Sequence, residues 1–293
     1  GGGPPPLKLI GIGRVHDTMK MENKILLRNK YMFLSGIAMF LFMFVCFAIF
    51  SEYFKTYFFG NPGRWVTREK MMEMLFDYES YMVEGYSLMQ MIAPLFPVLA
   101  ILPFFQEKEM LPLSLHRTQR PARFVWRKIL KYCFWTSLFL YGVSLLYQVF
   151  GLVFVKIPRH TSVPRELFNE ILGKDFYNNH MFVYFMLENF VKFFVFGFAY
   201  ALFAMSLSFL LKKRYQLVLV PLLYFDGLTI IVSLFNRFDG INLFFLAPNY
   251  VVMSNAAPSM GTWTVFMPLV PVVLFSVLVI RHKLKNGDDP TDV

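Results

Sequence analysis

The sequence predicts an all-α polytopic membrane protein with six transmembrane helices, and three observations carry that reading. Of 293 residues, 56% are hydrophobic and 19% aromatic while only 16% are charged, more apolar surface than one soluble core of this size encloses. The apolar residues gather in runs of about 20, the length at which a helix crosses the hydrocarbon core with every backbone N–H and C=O bonded internally. The cations gather between those runs, mostly on alternate sides.

The first run, 32–53, is free of charge until Glu52 and serves as an uncleaved targeting signal. The second, 87–105, contains Pro94, Pro97 and Pro103, which are expected to kink it. The third covers 129–155. The fourth, 181–211, is long enough to tilt strongly or to contain a break. The fifth covers 217–235, and the sixth, 262–280, ends against Arg281, Lys283 and Lys285.

Between the spans, 65–82 follows a Gly60-Asn61-Pro62-Gly63 turn and mixes apolar and charged residues at roughly helical spacing. It is expected to lie on the outer leaflet as an amphipathic helix, and 158–180 reads the same way more weakly. Residues 241–263 are apolar but broken by Pro248, Asn249, Asn255, Pro258 and Gly261, which suits two short re-entrant helices. A seventh crossing there would carry the Arg281–Lys285 cluster to the outside. Residues 1–18 lack a starting Met and a long apolar core and read as a non-native or disordered leader, leaving 19–293 as a single six-helix membrane domain.

Charge sets the orientation. With the N-terminus inside, the inner segments sum to +12 and the outer loops to −1, the remainder of the +10 total being Glu188, Lys192 and Asp226 within the spans. Positive charge favours the cytoplasmic side, so both termini are expected inside a cell membrane. The basic excess then means anionic lipid headgroups, and no nucleic acid.

Chemistry-bearing motifs are sparse. Cys46 and Cys133 fall inside apolar runs and read as packing thiols. The five histidines never stand at metal-ligand spacing, so no metal or cofactor is expected on this chain. There is no G-x-S-x-G and no phosphate-binding G-x-x-x-x-G-K-[ST], so the chain does not hydrolyse ATP by itself.

One segment does look built for docking. Between the second and third runs, Glu107 and Glu109 open a basic stretch with Leu111, Leu113 and Leu115, followed by Arg117, Arg120, Pro121, Arg123, Arg127, Lys128 and Lys131. A solvated loop has no use for those leucines. Pro112 is placed to start a short helix that Arg120, ahead of Pro121, ends, and Pro121 to start the helix entering the third span.

Six spans with an acidic, then apolar, then Arg120-Pro121-Ala122-Arg123 segment between the second and third resemble the permease subunit of a type-2, exporter-type ABC transporter. The resemblance covers the topology of nearly the whole chain but only about 25 residues of motif. Met110-Leu111-Pro112 stands where that family usually has Gly-Thr. It implies a cytoplasmic coupling helix, with Glu107, Glu109, Leu111, Leu115, Arg117, Arg120 and Arg123 contacting a separate cytoplasmic ATPase subunit that holds ATP and Mg. It also implies a second permease subunit, re-entrant helices before the sixth span, and a hydrophobic or amphipathic substrate such as a lipid, glycolipid, peptide or antibiotic. A bacterial cell membrane is the expected setting. An intramembrane enzyme, and a non-transporting membrane sensor or immunity protein, are the alternatives from other classes.

Three ionisable residues at membrane depth are further candidates, for a translocation path. Glu188 and Lys192 stand four apart with the acid first, the favourable order for an intrahelical pair, which is the plainer explanation of both. Asp226 has no opposite charge within one turn. In a background without Cys46 and Cys133, single cysteines at positions 61, 169 and 254 should react with an impermeant thiol reagent in intact cells, and one at 286 should not. The reverse pattern would show that the crossings are miscounted.

Overall fold

The computed structural model describes residues 29–51, 78–107, 121–153, 168–173, 175–236, 243, 246–252 and 262–285. Among the described residues the protein is helical throughout, with no strand. Five helical stretches are long and apolar enough to cross a membrane: Lys30–Phe50, Ala122–Gly151, Met181–Ser208, Arg214–Phe235 and Trp263–Lys285. The bent pair Tyr78–Ile92 and Leu95–Phe105, with 50° between its arms, makes a sixth if counted as one span. The apolar runs of the sequence therefore became the long helices.

Helix α1 (Lys30–Phe50) begins where Asn29 caps it, the side-chain oxygen accepting from the backbone N–H groups of Tyr31 and Met32. The Asn29 Nδ2 donates to the Ala100 carbonyl at 2.9 Å and the Ser35 hydroxyl to the Phe96 carbonyl at 2.7 Å. Both bonds tie α1 to the second span, which consists of α2 (Tyr78–Gly85), α3 (Met89–Ile92) and α4 (Leu95–Glu107). Residues 29 and 35 meet 100 and 96, so the two run antiparallel. Its bend falls at Ala93 and Pro94; proline has no N–H to continue a helical ladder, and this is where the expected kink occurs.

Helix α5 (Pro121–Gly151) starts at the proline that the sequence marks as a helix start. Phe33 against Phe139, Phe40 against Tyr147 and Phe44 against Phe150 place α5 parallel to α1. Two short helices, α6 (Asn169–Leu172) and α7 (Phe176–Asn179), precede the fourth span. That span is continuous from Met181 to Ser208 as α8 (Met181–Asn189), a π-turn (Phe190–Val195) and α9 (Phe196–Ser208). Of the tilt or break open to this long run, the span shows no break but a local widening of the helix. Burial marks it as the axis of the bundle, since 78% of its apolar window lies inside against 22–39% for the other four. Helix α10 (Arg214–Phe235) and helix α11 (Leu269–Lys285) complete the set, both packed on α9.

One expectation changes. The end of the segment read as a surface amphipathic helix is core: α2 carries Tyr78, Tyr81 and Met82 wholly buried. Its charges mimicked an amphipathic pattern, but Glu79 is itself nearly buried in the bundle; residues 65–77 lie outside the described residues. Most of the stretch read as two re-entrant helices lies outside the described residues; those described include 3-10 turns, Pro248–Val251 and Thr262–Phe266.

Helices α2 and α5 interlock through a reciprocal pair of tyrosines and glycines. The Tyr81 and Tyr147 rings stack at 4.4 Å with 14° between planes. The Tyr81 hydroxyl donates to the Tyr147 carbonyl at 2.9 Å and the Tyr147 hydroxyl to the Tyr81 carbonyl at 3.2 Å. Each ring sits where a glycine has no Cβ: a methyl on Gly85 would stand 2.1 Å from the Tyr147 oxygen, and one on Gly151 2.4 Å from the Tyr81 ring. Gly85→Ala or Gly151→Ala should therefore destabilise the bundle by about 1–3 kcal/mol through overpacking. Gly142→Ala, whose added methyl meets nothing within 4 Å, should not. Unfolding in detergent micelles reads the difference; equal stability of all three variants would refute the interlock.

Candidate functional site

Asn189, at the last turn of α8, and Gln148, on the last turns of α5, are uncharged amides wholly buried in the bundle. A primary amide there must find partners, because an unbonded polar group in an apolar medium costs several kcal/mol. They form a relay across three spans. The Tyr86 hydroxyl donates to Asn189 Oδ1 at 2.6 Å, Asn189 Nδ2 to Gln148 Oε1 at 3.1 Å, and Gln148 Nε2 to the Phe182 carbonyl at 2.7 Å.

The Glu188–Lys192 pair adjoins this relay. Lys192 Nζ lies 2.6 Å from Glu188 Oε1, both side chains being 1% exposed, and 4.8 Å from the centroid of the Tyr86 ring, which offers its negative face to the ammonium. The pair spans the entry to the π-turn, in which the Phe196 N–H bonds to the Val191 carbonyl five residues back. A π-turn inserted in an α-helix recurs at functional sites because it redirects side chains without ending the helix. As the spacing indicated, Glu188 and Lys192 are an intrahelical pair.

Asp226 stands apart, half-exposed near the middle of α10. Among the described residues no cation pairs with it. Its neighbours Tyr224 and Phe225 pack against Phe203 and Tyr200 of α9, with ring centroids at 5.5 and 5.9 Å. The hydroxyl of Tyr200, wholly buried, and that of Thr229 have no hydrogen-bond partner among the described residues. A carboxylate and two hydroxyls on this pair of helices thus offer polar contacts at membrane depth.

The base of the docking segment is a clamp. Glu107, the last residue of α4, accepts from the Tyr132 hydroxyl at 2.5 Å with one oxygen and meets Lys128 Nζ at 2.8 Å with the other. Phe104 packs on both Tyr132 and Phe209, so the ends of the second and fourth spans and the start of the third meet here. Glu107 thus has partners inside its own chain. Arg123 is exposed on the first turn of α5. Glu109, Leu111, Leu115, Arg117 and Arg120 lie outside the described residues.

Among the described residues every Lys and Arg except Lys192 belongs to this same end: Lys30, Arg123, Arg127, Lys128, Lys131, Lys212, Lys213, Arg214, Arg281, Lys283 and Lys285. Helix α11 joins them because the Thr262–Phe266 turn before it packs on α6, at the opposite end. The cations that the charge count assigns to the outer loops lie outside the described residues. No group of three His, Cys, Asp or Glu side chains suited to a metal occurs among the described residues.

Fold and charge together define an all-α, multi-pass membrane protein with one strongly basic end. No protein-family profile, curated protein or solved structure matches the chain. Of the residues around the ion pair, Tyr86, Asn189 and Gln148 were not singled out by sequence; the available signal was two uncharged amides within or beside apolar runs.

Burial of the ion pair gives a direct test. Lys192→Met should cost about 3–5 kcal/mol, because it strands a carboxylate in the bundle, whereas Glu188→Met with Lys192→Met should recover most of that loss. Denaturation in micelles measures both, and a double variant as unstable as the single one would show that the two charges do not serve each other.

Proposed function

We propose that this chain is the transmembrane subunit of an ATP-driven, ABC-type exporter that moves a hydrophobic or amphipathic substrate with a separate ATPase subunit. The observation that carries the reading is the Glu107 clamp. It holds the exit of the second span against the entry of the third, so a force applied to the segment between them reaches two spans through one rigid base. A clamp of this kind suits a segment that is pushed upon. An ordinary surface loop has no need of one.

On this reading the bent pair is the second of six crossings, both termini and the basic end are cytoplasmic, and Glu109, Leu111, Leu115, Arg117, Arg120 and Arg123 face the ATPase. Glu107 positions the segment from within. A second permease subunit completes the pore, and Asp226 with the hydroxyls of Tyr200 and Thr229 lines the substrate path. The intramembrane-enzyme alternative is disfavoured by the Glu188–Lys192 pair, because its candidate acid and base are spent on each other.

The test is copurification of an ATP-binding subunit, identified by its phosphate-loop sequence, with the protein isolated from its native membrane. Leu115→Asp together with Arg120→Glu should reduce its recovery at least tenfold while insertion is unchanged. Glu107→Gln should leave the ATPase bound but uncouple hydrolysis from substrate. Recovery undiminished in the double variant, or no ATPase with the wild type, would overturn the proposal.

A further inference from the structure

Two departures from α-helical pitch face one another across the bundle. In the second span the turn at Tyr86–Leu88 is overwound: the N–H groups of Tyr86, Ser87, Met89 and Met91 each bond three residues back, to Val83, Glu84, Tyr86 and Leu88. In the fourth span Phe190–Val195 is underwound into a π-turn. Overwound and underwound turns hold fewer well-aligned bonds than an α-helix of the same length, and either returns to α-pitch by a shift of one residue in its bonding. Each is therefore a place where a helix can change pitch without unfolding.

Tyr86 joins them. It lies in the overwound turn, its hydroxyl bonds to Asn189, the residue before the π-turn, and its ring touches Lys192 and Phe193 inside that turn, the latter at 5.6 Å. Tyr86 is 2% exposed and Asn189 wholly buried, so this bond has no water to replace it, and leaving either partner unbonded carries the full desolvation cost. A change of pitch in one turn drags Tyr86 or its partners out of register with the other.

We propose that the two turns form a single hinge, with Tyr86 as its pin, so that the bent second span and the axial fourth span change pitch together. This inference does not rest on the transport reading, and its test needs no ATPase and no substrate. Hydrogen exchange is followed by mass spectrometry on the full chain in phosphatidylcholine nanodiscs, over peptides covering 82–94 and 186–197. Tyr86→Phe, which keeps the ring and removes the hydroxyl, should accelerate exchange roughly tenfold in both peptides. Tyr81→Phe, which removes an equally buried hydroxyl from the same span without touching the π-turn, should leave 186–197 as in the wild type. Acceleration confined to 82–94, no acceleration with Tyr86→Phe, or equal acceleration of 186–197 by Tyr81→Phe would each overturn the coupled hinge.

Discussion

Hydrocarbon surrounds this bundle where a soluble protein would have water, and so a buried polar atom left without a partner in the chain is costly. That constraint decides the arrangement of the helices more than apolar packing does, because lipid tails are as apolar as the side chains that would leave them. The contacts that distinguish one helix pairing from another are accordingly polar or steric. Asn29 reaches Ala100, Ser35 reaches Phe96, Tyr81 and Tyr147 exchange hydroxyl bonds over two glycines, and Tyr86, Asn189 and Gln148 relay bonds across three spans. Large apolar residues such as Leu34, Leu146, Leu223 and Leu278 are left on the outside. In water that would be a liability; at a lipid boundary it is the expected finish.

The same constraint separates the intramembrane charges. Glu188 and Lys192 are enclosed and paired with one another, with an aromatic face beneath the ammonium, at the entry to the π-turn. Asp226 sits half-exposed on the helix whose apolar window is least enclosed. Burial thus follows the spacing: the charged pair is enclosed within the bundle, and the single carboxylate is the more exposed of the intramembrane charges.

Much of the fold was legible because the signals that wrote it are local. Run length gave the long helices to within a few residues at most ends, Pro121 marked the start of the third span, and i,i+4 spacing gave the ion pair. Pro94 gave the bend. What the sequence did not disclose depends on which helices become neighbours. Tyr81-x-x-x-Gly85 and Tyr147-x-x-x-Gly151 are unremarkable separately, and only an antiparallel meeting of their helices turns each glycine into a seat for the other's ring. Residues 78–82 end a segment that reads as a surface helix because of Glu79 and the charges before it, whereas the tyrosines beside Glu79 carry the burial. The π-turn has no residue signature either: apart from Lys192, Phe190–Val195 is as apolar as the helix that follows it.

The clamp at Glu107 has a consequence for how this protein can change over time. Once Lys128 and Tyr132 close the base on that carboxylate, the excursion above it is anchored whatever its sequence. The entropic cost of closing a flexible excursion grows only with the logarithm of its length, about 0.6 kcal/mol for each doubling. Changes of length between residues 108 and 120 therefore add little closure cost to the ends that the clamp already holds together. The membrane part and the connection can diverge at different rates, because the residues that fix the ends of the second and third spans lie outside the connection.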